Sequence, residues 1–209
     1  MKIFAVGMNY IMHNKELDGA LYKPEQPVIF TKPDSALLKD GKPFFLPEEL
    51  GRIDYEAELV VRICRLGKSI PQRFAHRYYD AIGSGVLLYP RLYGPDDDLL
   101  TLQELFAQGC CINHTSLVPT PAYGPERIAE CRFSLSLSAE DNKEGFCFDC
   151  PSMQEMDLAL SKASEVAWMR TGDILCIELS ERRALPPEQT LRFEGCLLGE
   201  KNIDFEVKF

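Results

Sequence analysis

The chain lacks any run of lysine or arginine: 23 basic residues face 32 acidic ones, and the formal net charge is −9. A surface of that sign repels phosphate backbones and anionic lipid, so nucleic acid and membranes are not expected partners. No apolar stretch is long enough to cross a bilayer, and the apolar start from Met1 to Gly7 is too short for a signal peptide. The expectation is a cytoplasmic protein. Internal repeats, low-complexity tracts and linkers are also missing, so the 209 residues read as one domain, 1–209. Cysteine is not scarce, at eight residues, but the spacing that zinc needs is absent. Cys147 and Cys150 form a lone CxxC, and Cys110-Cys111 supplies no second pair. Without an export signal the thiols are expected to be reduced, and Cys64, Cys131, Cys176 and Cys196 sit in apolar runs that suit packing.

What is present is a succession of short strand patterns with a few helices. Lys2 to Val6, Val28 to Thr31 and Phe44 to Leu46 read as strands, with Asn9 to Leu17 as a short helical or loop segment. Gly67 and Pro71 precede a predicted helix with Phe74, Ala75, Tyr78 and Tyr79 on its apolar face, and Asp80 to Leu88 reads as a buried strand. Thr101 and Glu104 match a capping box for a helix that stops by Gly109; Ser152 and Glu155 match another, for a helix ended by Gly172. Arg132 to Ser138 alternates phenylalanine or leucine with serine. Ile174 to Leu179, Thr190 to Leu198 and Ile203 to Val207 complete the strands, with a hairpin signal at Gly199 to Asn202. Strands in this number, mixed with few helices, define an α+β class with a mainly antiparallel or mixed sheet.

One stretch carries chemistry. From Arg52 to Val61 a period of two places Asp54, Glu56 and Glu58 on one strand face and Ile53, Tyr55, Ala57 and Leu59 on the other. Carboxylates two apart lie roughly 6–7 Å apart along a strand and repel unless water or a cation intervenes. Such a pair suits a hard divalent cation, and it equally suits the solvated face of a half-buried strand. Near the N-terminus His13 and Glu16 are three apart and would meet on a helical turn.

Three linked motifs resemble the fumarylacetoacetate hydrolase family: Gly7-Met8-Asn9-Tyr10 with His13 and Glu16, the run Pro27 to Leu37, and Ile53 to Val61. The resemblance implies a mixed β-roll that dimerises, and a magnesium or manganese ion held by two glutamates, here Glu56 and Glu58, and one aspartate. It implies that His13 and Glu16 activate water, that Lys32 and Ser35 border the pocket, and that the substrate is a small keto acid or other carboxylic acid. The metal would act as a Lewis acid toward a carbonyl oxygen.

Beyond about Ala81 the pattern departs. Arg91 matches the family's arginine and would contact substrate, yet the aspartate position falls on Leu87. Glu104 to Asn113 holds no lysine where the family has one, and Ile177-Glu178-Leu179-Ser180 replaces the family's late turn. Two readings follow. The first is a family member with a degraded metal site, impaired or inactive, acting as a small-acid binder or through its dimer surface. The alternative is an active magnesium- or manganese-dependent hydrolase, decarboxylase or isomerase of a β-diketo acid or oxaloacetate-like substrate. In that case Asp54 or one of Asp96, Asp97 and Asp98 would complete the metal shell.

Overall fold

The computed structural model describes residues 1–7, 27–38, 42–46, 52–91, 110–139, 142–186 and 190–208. The expected segments carrying His13 and Glu16, the Asp96–Asp98 run and the helix from Thr101 lie outside these residues.

Two sheets build the molecule. The larger takes β1 (Ile3–Gly7), β2 (Val28–Lys32), β4 (Arg52–Ile63), β5 (Tyr79–Arg91), β6 (Ser116–Leu117), β9 (Ile174–Glu178) and β10 (Arg183–Ala184) in the order β2-β1-β9-β4-β5-β6, with β10 also paired to β4. The smaller orders β3 (Phe44–Phe45), β7 (Arg132–Ala139), β8 (Asn142–Asp149), β11 (Leu191–Leu197) and β12 (Glu200–Lys208) as β3-β12-β11-β7-β8. β1 runs parallel to β9 and β3 parallel to β12, while the other named pairs are antiparallel. The expected α+β class with a mixed sheet is what the chain adopts.

Alternation decides how the sheets meet. Tyr55, Ala57, Leu59 and Val61 of β4 share a core with Phe133, Leu135 and Leu137 of β7 and Phe193 of β11. Tyr55 meets the Phe193 ring edge-on at 5.3 Å, and Phe193 stacks on Phe205 at 4.7 Å. The serines of β7 alternate with these apolar residues, as the sequence pattern predicts. Helix α2 (Met153–Val166) adds Met156, Ala159, Leu160 and Ala163 to the same core. Its predicted capping box is made: Ser152 Oγ accepts from Glu155 N at 3.3 Å, and Glu155 Oε2 accepts from Ser152 N at 2.7 Å.

Several expectations need correction. The helix after Pro71 is a single turn, α1 (Gln72–Ala75), and Tyr79 already belongs to β5. Cross-strand pairing wins there, because Cys64 N donates to Tyr78 O and extends the long β4–β5 hairpin. Helix α2 ends at Val166 rather than at Gly172, which instead takes a φ of +86° in the turn before β9. The last hairpin turns at Leu198 and Gly199, whose φ values are 54° and 81°, so β12 begins at Glu200, inside the segment read as the turn. β8 escapes pattern reading because its outward residues are charged or small and only Phe146 and Phe148 alternate with them.

Candidate active site

The second face of β4 is not a solvated one. Asp54, Glu56 and Glu58 are 2%, 3% and 1% exposed, as deeply buried as the apolar residues between them. Residues paired across strands share a face, so the register names their neighbours. Asp54 pairs with Tyr89, Glu56 with Leu87 and Glu58 with Gly85 on β5, and Glu58 pairs with Glu178 on β9. Ile3, Ala5, Val60, Leu87, Tyr89, Val118, Ile174 and Cys176 form a small apolar core on this side. The carboxylates are therefore set in a greasy wall.

Two cations reach that wall. Lys32, the last residue of β2, is 1% exposed; its ammonium donates to Leu88 O at 3.1 Å and stands 5.0 Å from the Tyr89 ring centre. Arg182 arrives by a detour in the chain. Glu178 pairs with Glu58 and Arg183 with Tyr55, so four residues on this strand bridge a gap of two on β4. The extra length forms a bulge held at Ala57, whose N–H donates to Ser180 Oγ at 2.9 Å while its carbonyl accepts from Leu179 N at 2.8 Å. Arg182 then donates Nε to Glu56 Oε1 at 3.0 Å and lays its guanidinium 3.9 Å from the Tyr89 ring centre.

Burial and crowding move the proton affinities. Burial, then the charges of Glu56 and Glu178, hold the Glu58 carboxyl well above its usual range, against Arg182 and Lys32. Burial lowers the Lys32 ammonium to about 8. Tyr89 is pushed well up, first by burial and then by Glu56 and Glu58. Burial works against the charge on Arg182, but Glu56, Tyr89 and Asp54 together outweigh it. Cys110 is buried beside Lys32 and Arg182, and burial lifts its thiol to about 11.

Of the residues singled out from sequence, Lys32, Glu56 and Glu58 come together here. Ser35 lies exposed on the turn Asp34–Ala36, its carbonyl accepting from His114 N at 3.1 Å. Arg91 closes β5 opposite Arg52, and its side chain lies outside the description. His13, Glu16 and Asp96–Asp98 lie outside the described residues. Cys147 is exposed and Cys150 half-buried, and all eight cysteines are free thiols. Sequence reading missed Arg182, Tyr89 and Glu178. The Arg182-Arg183 pair after an apolar strand was the one visible signal, and nothing local tells which of the two turns inward.

The described residues do not fit the divalent ion that the resemblance implies. Leu87 stands opposite Glu56 and offers no donor, and Glu56 already holds the Arg182 guanidinium. Among the described residues no three His, Cys, Asp or Glu side chains group closely enough to hold a metal. No described helix is long and apolar enough to cross a membrane.

A sheet-built protein with a Glu-x-Glu wall inside its longest hairpin is the class that fold and site define. A sequence model described as Fumarylacetoacetate (FAA) hydrolase C-terminal matches residues 2–177, and the chain belongs to the fumarylacetoacetate hydrolase family. It is 42% identical over 176 residues to an uncharacterized protein of Methanocaldococcus jannaschii, covering 83% of this chain and 69% of that one. It is 40% identical over 77 residues to a mitochondrial oxaloacetate tautomerase of Arabidopsis thaliana, 37% of this chain and 34% of that protein. The match thus spans about a third of the length of the first curated relatives. Among solved structures, fumarylpyruvate hydrolase from Pseudomonas aeruginosa in complex with Mn2+ and pyruvate superposes with a TM-score of 0.69 at 21% identity, over 100% of this chain and 88% of that one. That likeness is one of fold.

Proposed function

We propose that the chain is an enolising enzyme for a small 2-oxo acid of the oxaloacetate kind, catalysing proton exchange between its keto and enol forms. The observation that carries this reading is the convergence of Glu56, Glu58 and Glu178 with Lys32 and Arg182 around Tyr89 in one buried wall. Charges are costly to bury, and a wall that holds these ionisable groups against an apolar surround is a functional-site candidate on physical grounds. The name of the Arabidopsis relative, an oxaloacetate tautomerase, supports an active protein over a silent one.

Each group has a role in such a reaction. Glu58, whose carboxyl burial and the neighbouring Glu56 and Glu178 hold well above its usual range, is the base that takes a proton from the carbon next to the keto group. Lys32, lowered to about 8, gives a proton to the oxygen as negative charge develops there. One group gains a proton as the other loses one, and the reverse reaction restores both. Arg182 fixes Glu56 and sets a positive charge beside it that would attract a substrate carboxylate. No step is assigned to a metal.

The test is the ultraviolet decay of enol-oxaloacetate with purified protein. Acceleration that falls on the order of 100-fold in Glu58→Gln is the expected result. A decay equal to that of buffer overturns the reading. The pairing of Glu56 with Arg182 and the leucine opposite it favour a second reading, a binder of small dicarboxylates without turnover. Saturable oxaloacetate binding by calorimetry, with no change in decay rate, would select that one.

A further inference from the structure

We infer that Arg182 stands where a divalent cation would stand against the Glu56–Glu58 wall, so that a guanidinium built into the chain closes the wall without a metal. The bulge between Glu178 and Arg183 buries Ser180 and carries Arg182, whose side chain ends 3.0 Å from Glu56 Oε1. The bulge is pinned at both polar groups of Ala57, next in the chain to Glu56, so the arginine is delivered by ordered backbone.

The surroundings of the cation decide which kind it can be. Magnesium and manganese hold six oxygen donors and shed water reluctantly, so they need a polar shell. Across the strand pair from the carboxylates stand Leu87, opposite Glu56, and Tyr89, opposite Asp54, whose ring faces the Arg182 guanidinium. A guanidinium is weakly hydrated and stacks on aromatic faces, and its plane tolerates apolar neighbours. Leu87 and Tyr89 are a poor shell for a hydrated dication and a good one for an arginine. The charge balance agrees. Four buried carboxylates, Asp54, Glu56, Glu58 and Glu178, are faced by Arg182 and Lys32, two cations that the chain itself supplies.

The inference concerns the resting site and holds whether or not the protein turns over oxaloacetate. It is read by metal binding and by stability, which keeps its failure separate from that of the proposed activity. The full chain, purified with chelator, is titrated with MnCl2 and followed by electron paramagnetic resonance and thermal melts. Wild type is expected to leave millimolar Mn2+ free and to melt at the same temperature with chelator or metal. Arg182→Gln is expected to melt roughly 5–10 °C lower and to bind Mn2+ at least about tenfold more tightly, with the metal recovering part of the loss. In Glu56→Gln/Arg182→Met both partners are gone, and the melting temperature should return to within a few degrees of wild type, because a removed pair costs less than an orphaned charge. Submillimolar Mn2+ binding by wild type overturns the inference. So does a double variant whose loss is the sum of the two single losses.

Discussion

Two arginine–carboxylate pairs of nearly equal geometry sit on the two sheets, and they do different things. On the smaller sheet Arg192 grips Asp204 with two N–H groups, each at 2.9 Å, with the side chains 50% and 41% exposed. On the larger sheet Arg182 meets Glu56 at 3.0 Å, with the side chains 18% and 4% exposed. The buried pair has the larger consequences, because the energy at risk is that of an unpaired charge away from water and not that of the contact itself. Counting ion pairs would rank them equal. The environment separates them, and each prediction below tests that separation.

The largest effect is expected from orphaning the buried guanidinium. Glu56→Ala removes the carboxylate yet leaves Arg182 against Tyr89, in a wall that also holds Leu87. Breaking a buried pair on one side costs about 3–5 kcal/mol, which for a chain of this size is roughly 10 °C of melting temperature. Urea and thermal melts at neutral pH measure it. A loss of only a degree or two would mean that Arg182 escapes to solvent and that the wall is not closed.

Lys32 comes next, and its sign follows from linkage. Its folded pKa, about 8, lies below its unfolded value of 10.5, so the unfolded chain binds more of this proton between those pH values. Stability is therefore lowest below about pH 8 and is regained as pH rises toward 10.5. The difference between the two states corresponds to about 3 kcal/mol. Lys32→Met should lose that rise across pH 8 to 10, and should not be less stable than wild type at pH 7 by more than the lost hydrogen bond to Leu88 O. Wild-type melts that stay flat across that range would remove the buried ammonium from the picture.

Glu58 tests the same wall from the acidic side with a smaller change. A carboxyl held above its unfolded pKa favours the fold most below that unfolded value, and the benefit fades as pH rises toward the folded pKa. Glu58→Gln keeps the shape and cannot ionise. It should melt at or above the wild-type temperature at pH 7 and show a shallower decline as pH rises above about 4.5, while activity is lost. Stability and activity moving in opposite directions is the signature of a functional carboxylate. A variant that is less stable at every pH would make Glu58 a packing residue.

The two sheets also differ in how much of them the sequence reveals. Period-two alternation exposes both faces of β4, because each side chain direction is fixed by the backbone alone. That is enough to put Asp54, Glu56 and Glu58 together, and the short run before Pro33 shows where Lys32 ends its strand. Burial of that face is not legible, since an acidic alternation reads the same when water covers it. Arg182, Tyr89 and Glu178 are set by register between strands that lie far apart in the chain, and by a bulge whose cause is a hydrogen bond from Ala57 to Ser180. Local patterns carry no record of such a contact. The same competition explains Tyr79, which has a helical neighbourhood in sequence and a strand partner in space.

The smallest effect closes the comparison from the exposed side. Arg192 also neighbours a wider net on the smaller sheet, in which Lys201 bridges Glu194 and Asp204 and Lys143 reaches Glu194. Hydrogen bonds from Arg192 and Lys201 hold the Asp204 carboxyl down at about 2, yet the site is open to water and salt, which screen the pair and replace its hydrogen bonds when it is broken. Arg192→Gln should therefore melt within the scatter of wild type, and adding salt should not change that result. The same salt should leave the loss in Glu56→Ala untouched, because counter-ions do not reach a wall built from Leu87 and Tyr89. If Arg192→Gln instead matched Glu56→Ala, pair geometry and not burial would govern both sheets, and the case for Arg182 as an internal cation would fall with it.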